Sequence, residues 1–164
     1  MLTTVAAQNV ENLEKITIKH SLPNFVPIKV ELIGLHGNDV LNDLKVKVTN
    51  ISAKPIYSLR FGLRTVDIKV SGAPLELSMY YGRNELKSGA NESAENNVKP
   101  TDKPINPNET VIFKLSKNRV KIHKRNIEIG LYPQPRIYEL LFLDLMHGDG
   151  TGFARTGAVK RKLE

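Results

Sequence analysis

The chain has 164 residues, 24 Lys+Arg against 17 Asp+Glu, and neither cysteine nor tryptophan. That length suits one domain, and 40% apolar with 25% charged residues is ordinary globular usage, which argues against general disorder and against a membrane bundle. The missing cysteine excludes disulfides, thiolate metal sites and cysteine nucleophiles, the missing tryptophan removes the strongest stacking platform for sugars and bases, and the net charge of +7 points to an anionic surrounding or partner.

Residues 1–13 are expected to form a flexible N-terminal segment. Within it, Val5-Ala6-Ala7 before Gln8 looks like the end of a signal peptide, although the charged n-region and long apolar h-region are lacking. The expectation is an exported protein, with a cytoplasmic protein as the alternative. No apolar run approaches the 18 or so residues of a spanning helix.

From residue 14 to 164 a period of two dominates. Ile16 and Ile18 alternate with Lys15, Thr17 and Lys19; Ile28, Val30 and Leu32 repeat the pattern; Val46 and Val48 alternate with Lys45 and Lys47. Half-buried strands need this alternation because successive side chains leave opposite faces of a sheet. Asn38-Asp39 and Asn42-Asp43, with Gly34 and Gly37, predict a turn that makes the second and third runs adjoining strands. After a polar corner ending at Pro55, residues 56–68 read as a long strand with Ile56, Leu59, Phe61 and Leu63 inward and a bulge near Tyr57-Ser58.

Residues 75–81 predict a further strand, on which Tyr80 and Tyr81 must face opposite ways. Residues 87–107 carry Pro100, Pro104, Pro107 and several asparagines with almost no large apolar residue before Ile105, and predict a long surface loop. A strand is expected at 110–115. Residues 120–129 suit either strand alternation or a short helix through Val120, Lys124 and Ile127; a helical turn or irregular connection across one end of the molecule is the preferred reading, broken by Pro133 and Pro135. Residues 136–146 are the most apolar run and predict the most buried strand, and two glycine-punctuated strands close the chain.

Seven to nine short strands without βαβ alternation or internal repeats predict an all-β, single antiparallel β-sandwich, with a barrel of the same strand count as the alternative. The run from Leu44 to Ile56, in which an alternating strand ends in Asn50 and Pro55 opens the next, resembles immunoglobulin-like sandwich modules of bacterial exported proteins. So does the turn Pro107-Asn108-Glu109-Thr110-Val111, and the ending from Phe142 to Phe153 is similar to that of a group of bacterial proteins of this size. The resemblance implies an immunoglobulin-like fold and export; it carries no catalytic residue.

Two constellations are candidates for binding. Lys114, Lys117, Arg119, Lys121, Lys124 and Arg125 fall within twelve residues that contain no acid, a natural site for an anion or an acidic partner. Only Phe113 adjoins them, so an unknown protein or an anionic envelope polymer is expected as partner rather than sequence-specific DNA. Solvated lysines that guard a strand edge are the plainer reading. In the segment from Asp144 to Gly152, Asp144 and Asp149 are calcium candidates, although the spacing lacks an EF-hand pattern, and a glycine-shaped turn with Asp149 bonding its own backbone is the competing reading. The four histidines share no ligand spacing; loop proximity of His36 and His147 is the one pairing considered. No G-x-S-x-G or S-x-x-K occurs, so catalysis and a cofactor are not expected. The function expected is a non-catalytic interaction or accessory module. The alternative is a carbohydrate-binding sandwich, possibly calcium-assisted.

Overall fold

A computed structural model describes residues 15–36, 39–87 and 97–160. The expectations for residues 1–13 and for the middle of the long loop lie outside the described residues.

Among the described residues the alternating runs become nine strands in two sheets. The smaller sheet has β2 (Ile28–Ile33), β3 (Lys45–Asn50) and β6 (Thr110–Lys114) in the antiparallel order β2-β3-β6. The larger has β4 (Ile56–Val70), β5 (Ala73–Tyr81), β7 (Ile137–His147), β8 (Thr151–Ala154) and β9 (Gly157–Lys160) in the order β5-β4-β7-β8-β9. Its sixth strand, β1 (Thr17–Ser21), pairs with the first half of β7 in parallel, Thr17 opposite Ile137. This pairing departs from the wholly antiparallel sandwich expected. The sequence pattern fixes which side chains face inward but not the direction in which an edge is approached.

The sheets pack face to face through Val46 and Val48 of β3 and Phe113 of β6 on one side, and Leu59, Phe61, Leu63, Tyr138, Leu140, Phe142 and Leu145 on the other. Phe61 stands edge-on to Phe113 (5.6 Å, 82°) and to Phe142 (6.3 Å, 74°), so one ring stitches both layers with the geometry aromatic quadrupoles prefer. Tyr80 is exposed and Tyr81 packs on Phe113, as their adjacency requires.

Two bulges set which residues of the central strands face the core. The β4–β7 register skips Tyr57, so Ile56 and Leu59 both reach the interior, and it skips Leu143, so Phe142 and Leu145 do the same. The second bulge turns Asp144 and Met146 to the outer face of the larger sheet. Gly82 accommodates the first: at φ +82°, its position would bring a Cβ within 1.9 Å of the Tyr57 carbonyl oxygen.

Asn50 organises the polar corner after β3. Its Nδ2 donates to the Lys54 and Ile105 carbonyls (2.9 and 2.8 Å), and its Oδ1 accepts from the Ser52 N–H and hydroxyl (2.9 and 2.7 Å). A fully buried amide thereby uses its whole hydrogen-bonding capacity. Ile105, also fully buried, bridges to Ile56, so the long loop is anchored before its expected end at residue 107.

Helices close the opposite end. The turn between β2 and β3 winds into α1 (Val40–Asp43), whose Asn42 N–H is held by the Asp39 carboxylate (3.3 Å). After β6 the chain forms α2 (Lys117–Glu128), twelve residues long and thus more than the helical turn expected. Its inward residues are Val120 and His123, with Ile127 half-buried. Lys124, expected on the apolar side, lies at its margin and pairs with Asp39.

Candidate functional site

The cationic candidate is built by strand register. Alternation in β3 and β6 points Val46, Val48 and Phe113 inward and leaves Lys45, Lys47, Ile112 and Lys114 on the outer face of the smaller sheet. In the β3–β6 pairing Lys45 stands directly opposite Lys114, with Ile33 of β2 completing the row. Side chains so placed have Cβ atoms about 5 Å apart, and like charges there are destabilising. Lys47, in the next row, pairs with Glu31 (3.3 Å). Among the described residues Lys45 and Lys114 make no ion pair.

Helix α2 begins three residues after Lys114 and extends this charge. Lys117, Lys121 and Arg125 recur at four-residue spacing, which puts them on one exposed ridge about 12 Å long. Among the described residues these three also make no ion pair. The helix carries no acid in its first turn, and its N-cap Ser116 makes no side-chain capping bond. Cations therefore sit at the positive end of the helix dipole, where they cost stability.

The structure divides the six residues expected to form one cluster. Lys114 stands with Lys45 on the outer face of the smaller sheet, and Lys117, Lys121 and Arg125 follow on the exposed ridge of α2. Arg119 turns away, its Nη1 reaching the Ser78 carbonyl on β5 at 3.5 Å. Lys124 is half-buried against Asp39, whose carboxyl is held below its ordinary value chiefly by that lysine. Sequence proximity grouped Lys124 with the others; helical geometry assigns it to the seam between α1 and α2. Lys45 was legible as an outward lysine, but only the β3–β6 register brings it beside Lys114.

The two aspartates considered for calcium have separate cationic partners. Asp144, 1% exposed, accepts from Arg60 Nε on both oxygens (2.9 and 3.0 Å) on the outer face of the larger sheet. Asp149 lies in the β7–β8 turn, where it accepts from the Thr151 N–H (3.0 Å) and pairs with Lys54 (2.6 Å). Lys54 and Thr151 hold its carboxyl well below the usual carboxylate range. The segment thus has the geometry of a glycine-shaped turn in which Asp149 bonds its own backbone. Among the described residues no three His, Asp or Glu side chains converge as metal ligands.

Two histidines are buried. His147 Nδ1 lies 3.0 Å from the Pro55 carbonyl oxygen at the Asn50 end, whereas His36 follows the end of β2 near α1, so the two lie at opposite ends rather than in one loop cluster. His123 sits between two phenols: Nδ1 is 2.9 Å from Tyr132 Oη and Nε2 is 2.8 Å from Tyr138 Oη. A neutral imidazole matches this setting, donating from one nitrogen and accepting at the other. Burial lowers the His123 pKa and raises that of Tyr138. Sequence reading missed this chain. The signal was the spacing Val120–His123–Ile127, which puts the histidine on the core side of a helix.

Among the described residues no helix is long and apolar enough to cross a membrane. Compared with protein-family models, curated proteins and solved structures, the chain gives no significant match.

Proposed function

We propose that this chain is a non-catalytic binding module, exported from a bacterium, that engages an anionic partner through Lys45, Lys114, Lys117, Lys121 and Arg125. The carrying observation is the cross-strand Lys45–Lys114 pair, which among the described residues has no acid to offset it. Directly opposed like charges cost a sheet stability, and the uncapped, acid-free start of α2 adds to that cost. An anion laid across these residues relieves both. Lysines predominate and no aromatic ring stands among them, which suits recognition of charge rather than stacking on bases.

Retention on immobilised dextran sulfate, measured against salt, tests the reading. The triple variant Lys45→Glu/Lys114→Glu/Lys121→Glu should bind at least tenfold more weakly. A control reversing Lys99, Lys103 and Lys160, exposed and at the Asn50 end of the sandwich, carries the same change in net charge and should lose far less. Equal losses in the two variants would reduce the effect to net charge and end the proposal.

A further inference from the structure

The outward side of α2 is not purely cationic. Ile122 is 51% exposed and Ile129 67%, and they are seven residues apart, so they lie on one helix face about 10 Å from each other along the axis. Arg125 lies beside them, and Lys117 and Lys121 stand along the flank of that face, with the exposed Glu128 at its end. The core-facing side is separately supplied by Val120, His123 and Ile127, and neither outer isoleucine belongs to the buried core.

A third apolar residue joins them through the helix ending. The Gly130 N–H bonds the Ile127 carbonyl (2.9 Å) and the Leu131 N–H bonds the Asn126 carbonyl (2.9 Å), with Gly130 at φ +72°. This is the Schellman ending, in which the residue after the left-handed glycine normally packs an apolar side chain back onto the helix three or four positions before its cap. Here those positions hold Asn126 and Arg125, so Leu131 has no apolar seat and remains 61% exposed. A Cβ placed on Gly130 would meet nothing within 4 Å, and Ile129, Gly130 and Leu131 are all exposed.

We infer that this end of the molecule docks on an anionic lipid bilayer, with Ile122, Ile129 and Leu131 entering the interfacial region while Lys117, Lys121 and Arg125 meet the headgroups. The inference rests on the anion-binding reading and names its partner. A helix face that mixes cations with large aliphatic side chains matches a surface that is negative outside and apolar just beneath. An acidic polysaccharide gives three aliphatic side chains nothing to be buried in. An exposed helix end also needs no shape-matched partner, and a bilayer provides none.

The test is co-sedimentation of the full chain with phosphatidylcholine vesicles containing 30% phosphatidylglycerol, and with phosphatidylcholine alone. Anionic vesicles should bind the protein, and pure phosphatidylcholine should bind it at least tenfold less, since each basic residue near an anionic surface is worth a factor of about five. Ile129→Ser/Leu131→Ser should lower binding to anionic vesicles at least tenfold while leaving dextran sulfate binding unchanged. Both positions are exposed, and an unchanged circular dichroism spectrum checks that α2 persists. Vesicle binding that survives the double substitution, or equal binding to neutral vesicles, overturns the inference. Binding to dextran sulfate without binding to vesicles overturns it too, yet leaves the anion-binding reading standing. Loss of both removes both.

Discussion

At one end of the sandwich Asn50 spends every hydrogen-bonding position of its side chain on the corner around it, His147 contacts the Pro55 carbonyl, and Asp149 is matched by Lys54. At the other end α2 is held from inside by the His123–tyrosine chain, while its outer surface presents cations and aliphatic side chains that stay more than half exposed. Both ends cap the same core. The first is satisfied by its own residues, so a change there is read as lost stability. The second keeps interaction capacity in reserve, so a change there is read in binding, and some changes should even stabilise the protein. A fold tolerates such an end when the energetic cost is small and a partner makes use of it.

The largest expected effect breaks the satisfied end. Asn50→Leu keeps the volume but removes four hydrogen bonds: the Ser52 N–H loses its acceptor, and the Lys54 and Ile105 carbonyls keep only the Ser52 hydroxyl and the Ile56 N–H, respectively. It should destabilise by about 3 kcal/mol, since each such bond is worth about 0.5–1.5 kcal/mol. Thermal unfolding should fall by roughly 10 °C at this chain length, while dextran sulfate binding of the folded protein stays unchanged. A loss below 1 kcal/mol would show that water replaces the amide and that this end is less self-sufficient than its geometry implies.

Second in size is the inner anchor of α2. His123→Leu leaves both phenols without their nitrogen partner and should cost about 2 kcal/mol near pH 7.5. Its pH dependence is more diagnostic. Burial holds the folded ring's pKa below its ordinary 6.5, so the unfolded chain takes up the proton first as pH falls. The contribution of His123 is therefore complete above the unfolded value and drains away as pH drops toward the folded one, with a slope approaching about 1.4 kcal/mol per pH unit. Urea titrations between pH 7.5 and 5 should show a shallower slope in the variant than in the wild type. Parallel slopes would mean that His123 is already solvated in the native protein.

The smallest effect sharpens the contrast most. Lys45→Glu replaces the opposed pair with an attractive one across to Lys114 and should stabilise by about 0.5 kcal/mol, while weakening dextran sulfate binding severalfold. Opposite signs for stability and binding are what separates this end from the other; the same sign for both would merge them.

Much of the architecture was legible because burial on one face writes itself into alternation. Ile56, Leu59, Phe61 and Leu63 were placed inward correctly, and the phase slip near Tyr57 was visible as a break in period. The two-sheet sandwich and the burial of residues 136–146 followed from the same signal. What escaped reading depended on contacts distant in sequence. The parallel approach of β1 leaves the alternation unchanged, so no local pattern reports it. The opposition of Lys45 and Lys114 is a matter of register, which a list of charged residues does not contain. The helix from Lys117 was blurred by Ile122 and Ile129: outward aliphatic residues disturbed the helical stripe and imitated strand alternation. The residues that obscured the local reading are the ones assigned to lipid contact here, as expected where local and global demands conflict.

The pairing of β1 with β7 also has a consequence for the order of assembly. One edge of β7 is taken by β4, and the other is shared, its first half by β1 and its second by β8. During synthesis β1 therefore leaves the ribosome long before the strand that receives it exists, and β8 arrives just after. The smaller sheet and the β4–β5 hairpin can form while the chain is still growing, but the larger sheet waits for its central strand. Such sequence-distant pairing is slow, and until it is made β4 presents an unpaired apolar edge to its surroundings. The most buried strand of the finished protein is thus among the last to be delivered to it.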